Sequence, residues 1–117
     1  MLILCILIKI NLIFDLTFSE KFNLKYMKLF NNIYKNKTVI VTGHTGFKGS
    51  WLSLWLITMG AKVIGISKNV PTKPSHFDVI NLKKKVKHLT LDICNFKKLS
   101  NQFKKYNPDF VFHLAAQ

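Results

Sequence analysis

Residues 38–60, TVIVTGHTGFKGSWLSLWLITMG, constrain this chain more than any other stretch. Thr38 to Thr42 is a short β-branched run of the kind that forms a buried strand. Gly43, Gly46 and Gly49 follow with the spacing G-x-x-G-x-x-G. Trp51 to Met59 is apolar nearly all round, as in a helix buried on most faces, and Gly60 stands where a C-terminal cap belongs. The order strand, glycine turn, helix gives the glycine pattern a structural context that a lone triplet lacks.

That context points to an anion site. The first turn of a helix carries free backbone N–H groups and the positive end of the dipole, both aimed at an incoming phosphate. Gly43 permits a tight turn out of the strand. Gly46 removes a side chain where a dinucleotide's pyrophosphate approaches the backbone. Gly49 lets the helix lie close on the strand.

The remaining chain reads as more of the same architecture. Ala61 to Ser67 is a second strand. Lys68 to Phe77 holds Pro71 and Pro74, which bar a regular helix, and Ser75 is placed to cap a short helical stretch from His76 to Leu82. Lys83, Lys84, Lys85 and Lys87 read as a solvated run leading into a third strand, Val86 to Leu91. Asn95 caps a helix whose Phe96, Leu99 and Phe103 share one face. Pro108 ends that helix, and Phe110 to Ala115 is the fourth strand, predicted to be buried. The expected fold is α/β: a partial Rossmann fold, the first half of a doubly wound parallel sheet with about four strands.

At 117 residues the chain makes at most one domain. The expected organisation is an apolar extension, 1–26, ahead of a truncated NAD(P)-binding domain, 27–117. The extension's apolar run, Leu2 to Ile8, is interrupted at Lys9 and Asn11 and falls short of the ~20 residues needed to span a bilayer, and it lacks the charge and cleavage pattern of a secretory signal. We read Met27 as the start of the folded protein and residues 1–26 as an over-extended gene model, with an interfacial amphipathic helix as the alternative. The net charge of +13 comes from 18 basic residues against 5 acidic ones. Every basic residue is Lys. Nucleic-acid binders exploit the bidentate geometry of Arg, so the charge reads as composition bias from an AT-rich genome, and neither a nucleic-acid nor a membrane partner is expected. Cys5 and Cys94 are too few for a disulfide framework or a metal site, which suits a reducing cytoplasm. His44, His76, His88 and His113 have no mutual ligand spacing, so no metal is expected.

The string Thr42-Gly43-His44-Thr45-Gly46-Phe47-Lys48-Gly49-Ser50-Trp51-Leu52 resembles the extended short-chain dehydrogenase/reductase family (the NAD-dependent epimerases and dehydratases). Within it, the string is most similar to the CDP-glucose 4,6-dehydratases. P-T-x-P-S-x-F at Pro71–Phe77 and P-D-F-V-F-H-L-A-A-Q at Pro108–Gln117 carry the same likeness, although those enzymes usually have Leu where His76 stands. The resemblance covers about residues 30–117 and implies the first third or so of a longer, homo-oligomeric enzyme.

It implies cofactor contacts at Gly43, Thr45, Gly46, Phe47, Lys48 and Gly49 in the turn, at Asp92 and Ile93 against the adenine, and at Leu114, Ala115 and Ala116 beside the fourth strand's end, with Gln117 opening the loop beyond. Such enzymes convert CDP-glucose to CDP-4-dehydro-6-deoxyglucose and water with bound NAD, in bacterial surface-polysaccharide synthesis. The acid that usually holds the adenosine ribose, ~20 residues beyond the glycines, is replaced by Ser67 and Lys68. NAD is therefore the expected cofactor with NADP as the alternative. The family's catalytic Tyr-x-x-x-Lys is not found: Tyr26, Tyr34 and Tyr106 are followed four residues on by Phe30, Thr38 and Phe110. No catalytic residue is assigned, and the alternatives are a portion of another sugar-nucleotide epimerase or dehydratase, or a non-catalytic dinucleotide-binding remnant.

Overall fold

A computed structural model of the chain describes residues 29–115. The expectations for residues 1–26, for Cys5, and for Ala116 and Gln117 lie outside the described residues. An irregular turn at Leu29–Asn32 leads into strand β1, Thr38–Thr42. Helix α1 is Phe47–Thr58, β2 is Lys62–Ser67, and α2 is the single turn His76–Val79. A 3-10 turn at Leu82–Lys84 precedes β3, Lys87–Thr90. Helix α3, Phe96–Tyr106, and strand β4, Phe110–His113, complete the order.

The four strands are parallel in the order β3-β2-β1-β4. This is the first half of a doubly wound sheet, with the switch in direction of winding between β1 and β4. Parallel strands in such sheets are covered on both faces and read as continuous apolar runs. β1 obeys this rule. Val39 and Val41 pack with Leu56, Met59 and Val63 on the α1 face, while Ile40 packs with Ile64 and Ile66 on the other. Leu99, Phe103 and Tyr106 of α3 cover that second face.

The ends of the helices follow from local chemistry. At the close of α1, Gly60 adopts φ +84 and donates its N–H to the Ile57 carbonyl, while Ala61 donates to Leu56. That pair of bonds is the Schellman arrangement, which satisfies carbonyls left open by the last turn. Ser75 caps α2 and Asn95 caps α3, each accepting a backbone N–H with its side chain. Asn107 ends α3 in a left-handed conformation. Asp109 then accepts the Thr38 N–H at 2.8 Å and returns its own N–H to the Thr38 carbonyl at 2.8 Å, tying the start of β4 to the start of β1. Its carboxyl is held below the usual carboxylate range, first by the Thr38 N–H and then by Lys37.

Three expectations need correction. Helix α1 begins at Phe47, not Trp51, so Gly49 lies inside its first turn. Phe96 does not join Leu99 and Phe103 on a buried face: it is 80% exposed, because the contact with the sheet begins a turn later at Leu99. The fourth strand stops at His113 and is not buried. Val111 is 46% exposed and His113 is exposed, since α3 covers the Ile40–Ile64–Ile66 face of β1 and β2 and its apolar side chains do not extend to β4.

Candidate functional site

The C-terminal ends of β1, β2 and β4 and the loop after β3 surround a cleft of about 370 Å³. That lies within the ordinary range for small-ligand sites, and the carboxyl ends of strands at a topological switch are where α/β sheets bind ligands. The floor is the glycine turn. Gly43 sits at φ +75, and a Cβ there would strike the Leu114 carbonyl and the Ala115 nitrogen. A Cβ on Gly49 would collide with the Gly43 carbonyl, so the first turn of α1 rests directly on the turn that leaves β1. Ser53 donates to the Gly49 carbonyl at 2.7 Å beneath it. Gly46 differs from both. Its backbone is extended and a Cβ would reach only the Gly43 oxygen at 3.4 Å, which leaves the space above it for a ligand.

Gly46 is also the N-cap of α1, with no side chain capping the helix. The first-turn N–H groups therefore have neither intrahelical acceptors nor a cap, and they carry the positive end of the dipole. Thr45 does not substitute for a cap: its hydroxyl donates instead to the Asn69 carbonyl at 2.6 Å, drawing the β2–α2 loop over the turn.

Of the residues expected to touch a cofactor, Gly43, Thr45, Gly46, Asp92, Ile93, Leu114 and Ala115 line the cleft together. Phe47, Lys48 and Gly49 do not. Phe47 is 69% exposed, Lys48 is exposed, and Gly49 is buried under the turn. Phe47 instead joins Trp51 and His76 in an aromatic group, with the Trp51 and His76 rings stacked at 4.0 Å. Ser67 and Lys68, which the sequence places where the ribose-binding acid usually stands, also line the cleft, and Asn69, Pro71, Leu91 and Cys94, which the sequence reading missed, complete it. The signal available for those four was position: Asn69 and Pro71 follow β2, and Leu91 and Cys94 follow β3, at the carboxyl edge where the cleft had to lie.

Two polar devices shape the walls. Thr42 is buried at the end of β1; its hydroxyl oxygen accepts N–H bonds from Leu114 and Ala115 at 3.2 and 3.3 Å and meets His113 Nδ1 at 2.7 Å. This seats the segment after β4 against Gly43. Opposite, Lys68 Nζ meets Asp92 Oδ2 at 3.2 Å, and Asp92 Oδ1 accepts the Cys94 N–H at 2.9 Å. The Cys94 N–H first, and Lys68 second, hold the Asp92 carboxyl below its usual range. The acid absent from the end of β2 is thus matched by one at the end of β3, already paired with the neighbouring lysine.

Among the described residues no helix is long and apolar enough to cross a membrane, and no group of three or more His, Cys, Asp or Glu could hold a metal ion. The four histidines are not all apart, however. His44 Nε2 meets His88 Nδ1 at 2.7 Å, brought together by the pairing of Gly65 with His88 across β2 and β3. Burial, then the neighbouring His88, lower the His44 pKa to about 4, against a smaller opposing pull from the Ile66 carbonyl.

Comparison with known proteins agrees with this architecture. A CDP-glucose 4,6-dehydratase of Salmonella typhimurium is 50% identical over 86 residues, which are 74% of this chain and 24% of that protein. A probable dTDP-glucose 4,6-dehydratase of Sinorhizobium fredii is 30% identical over 80 residues, 68% of this chain and 23% of its own length. Among solved structures, an epimerase of Methanothermobacter thermautotrophicus superposes with a TM-score of 0.61 at 35% identity, covering 74% of this chain and 24% of the other. The UDP-glucose 4-epimerase of Thermotoga maritima, solved with UDP-glucose, gives 0.59 at 32% identity, with 68% and 24% covered. The chain spans about a quarter of the length of the relatives it matches. The family model described as GDP-mannose 4,6 dehydratase matches residues 40–117, two thirds of the sequence, and the chain belongs to that family.

Proposed function

We propose that this chain provides the nicotinamide-dinucleotide-binding portion of a CDP-glucose 4,6-dehydratase and has no dehydratase activity by itself. The observation that carries this reading is the 50% identity to the Salmonella typhimurium enzyme over 86 residues of this chain. The uncapped start of α1 at Gly46, open to a cleft of about 370 Å³, supports a diphosphate as the ligand.

In this reading the chain's own groups perform the binding. The first-turn N–H groups of α1 hold the pyrophosphate, and Gly46 gives it room. Asp92 accepts from the adenine amino group while Ile93 packs on the ring. Leu114 and Ala115 let the dinucleotide lie against the end of β4. The bound dinucleotide supplies hydride transfer; proton transfer to and from the sugar requires residues beyond those in this sequence. The cofactor is NAD, because Lys68 already has its counter-charge in Asp92. NADP is the second reading, favoured by the same Lys68 standing in the cleft wall with no acid at the end of β2. The setting is the cytoplasm, and the folded domain runs from about residue 27.

Two measurements test the proposal. Titrating NADH fluorescence with the 117-residue chain should give saturable binding. Incubation with CDP-glucose and NAD should yield no 4-keto product. Absence of NADH binding defeats the cofactor reading; sustained turnover defeats the assignment of a binding portion alone.

A further inference from the structure

The mouth of α1 is braced from behind by a short run of hydrogen bonds. Ser50 is fully buried in the first turn of α1, and its hydroxyl donates to the Phe47 carbonyl at 2.9 Å. His76, the first residue of α2, brings Nδ1 within 2.8 Å of the same hydroxyl oxygen. The His76 ring lies on Trp51, 4.0 Å away at 22°, with Phe47 edge-on at 6.0 Å. Its Nε2 is buried and has no hydrogen-bond partner among the described residues, so Ser50 is the polar contact that orients the ring there. With the bond from Thr45 to Asn69, this contact ties both ends of the β2–α2 loop to the glycine motif. Nothing in the dinucleotide reading above uses His76.

The two contacts at Ser50 order the protons. A serine hydroxyl has one proton, and a carbonyl oxygen can only accept. Were that proton turned to His76, Ser50 Oγ and the Phe47 oxygen would face each other at 2.9 Å with no hydrogen between them, a costly contact in a buried place. The Ser50 proton therefore goes to the Phe47 carbonyl, and His76 Nδ1 donates to Ser50. Burial lowers the His76 pKa, so the ring is neutral at pH 7 and Nε2 bears the lone pair. The Phe47 carbonyl belongs to the same planar trans peptide as the Lys48 N–H, which points the opposite way. That N–H is one of the first-turn groups at the uncapped start of α1. His76 Nδ1–H, Ser50 O–H and the 47–48 peptide thus stand in series, each donor polarising the next.

We propose that His76 is a positioning residue for the diphosphate of the dinucleotide, acting through Ser50 to hold and polarise the peptide that presents the Lys48 N–H. The inference rests on the dinucleotide reading above. It gives the start of α1 a brace that leaves its N–H groups free. A side-chain cap of the kind Asn95 makes on α3 would occupy one of them. A bond to the far side of the peptide occupies none. It also gives Lys48 a part in the site that its exposed side chain does not have.

The test titrates the 117-residue chain and its variants with NADH, following nucleotide fluorescence. His76→Leu should weaken binding about threefold, within the range of one neutral hydrogen bond. His76→Asn, whose amide can donate from the place of Nδ1, should recover most of that loss; a ring needed only for packing on Trp51 would not be replaced by an amide. Ser50→Ala should weaken binding by up to about tenfold, and in that background His76→Leu should add nothing further. Two readings on the wild-type chain need no variant to fold. 15N spectra should show His76 Nδ1 as pyrrole-type and Nε2 as pyridine-type, and the Lys48 amide proton should shift when NADH is added. The reverse ring pattern, an unmoved Lys48 amide, independent losses for the two variants, or a His76→Leu affinity equal to wild type overturns the inference alone. Failure of wild type to bind NADH overturns the dinucleotide reading and this inference with it.

Discussion

The two central strands and the two outer ones are built from different material. β1 is buried from Val39 to Thr42 and β2 from Val63 to Ser67, each with side chains packed on both faces. β3 and β4 have no fully buried residue, and Lys87, Thr90, Val111 and His113 stand exposed. The centre holds the fold, while the outer strands chiefly carry groups to the rim of the cleft: Leu91 to Cys94 after β3, Leu114 and Ala115 after β4. Register transmits position from one to the other. Thr42 pairs with His113 and Ser67 with Thr90, so the buried strands decide where the exposed ones deliver their loops.

If that division is right, equal truncations should have unequal costs. Ile40→Ala removes a side chain with no exposed surface between α3 and β2 and should cost about 2–5 kcal/mol. Val111→Ala, paired directly beside it on β4, should stay within about 1 kcal/mol, because its side chain is already half in water. Urea unfolding midpoints measure both. Similar losses for the two would mean that β4 is as much core as β1.

The next effect comes from the buried His44. In the unfolded chain its imidazole takes up a proton near pH 6.5; in the fold it stays neutral until about pH 4. Between those values the unfolded state binds the extra proton, so acidification favours unfolding. Stability should fall as pH drops from about 6.5 toward 4 and then level off for this group. The full contribution is of order 3 kcal/mol. Asp92 and Asp109 act in a lower window, because their carboxyls are held below the usual range and lose stabilisation only as pH falls through it. Thermal midpoints across that range check the sign: a midpoint rising from pH 7 to pH 5 would contradict a neutral, buried His44.

How much of this the sequence revealed depends on the distance over which each feature is encoded. The strand–turn–helix of residues 38–60 is local, and Gly43, Gly49 and Gly60 stand where the spacing placed them. Asp92 and Ile93 were legible through family likeness and do reach the cleft. Phe47 and Lys48 share the glycine motif, but their side chains are exposed outside the cleft lining, and only their backbone N–H groups belong to the uncapped first turn of α1. The His44–His88 contact was invisible: four histidines without ligand spacing become neighbours only once β2 and β3 adopt a particular register. Exposure of β4 was missed for a related reason. An apolar run reads as buried whether or not a helix covers it.

The smallest stability effect separates the two helix starts. α3 is closed by Asn95, whose side chain accepts the Lys98 N–H at 3.1 Å. α1 begins at Gly46 with no such bond. Gly46→Asn should fit, since the backbone is extended and the added Cβ meets only the Gly43 oxygen, at ordinary contact distance. The new side chain would cap the helix as Asn95 does and raise stability by a few tenths of a kcal/mol. It would also occupy the N–H groups and the space proposed for the pyrophosphate, so NADH affinity should fall at least about tenfold. Stability and affinity would then move in opposite directions through one side chain. A variant that gained stability and kept its NADH affinity would place the diphosphate elsewhere than at the mouth of α1.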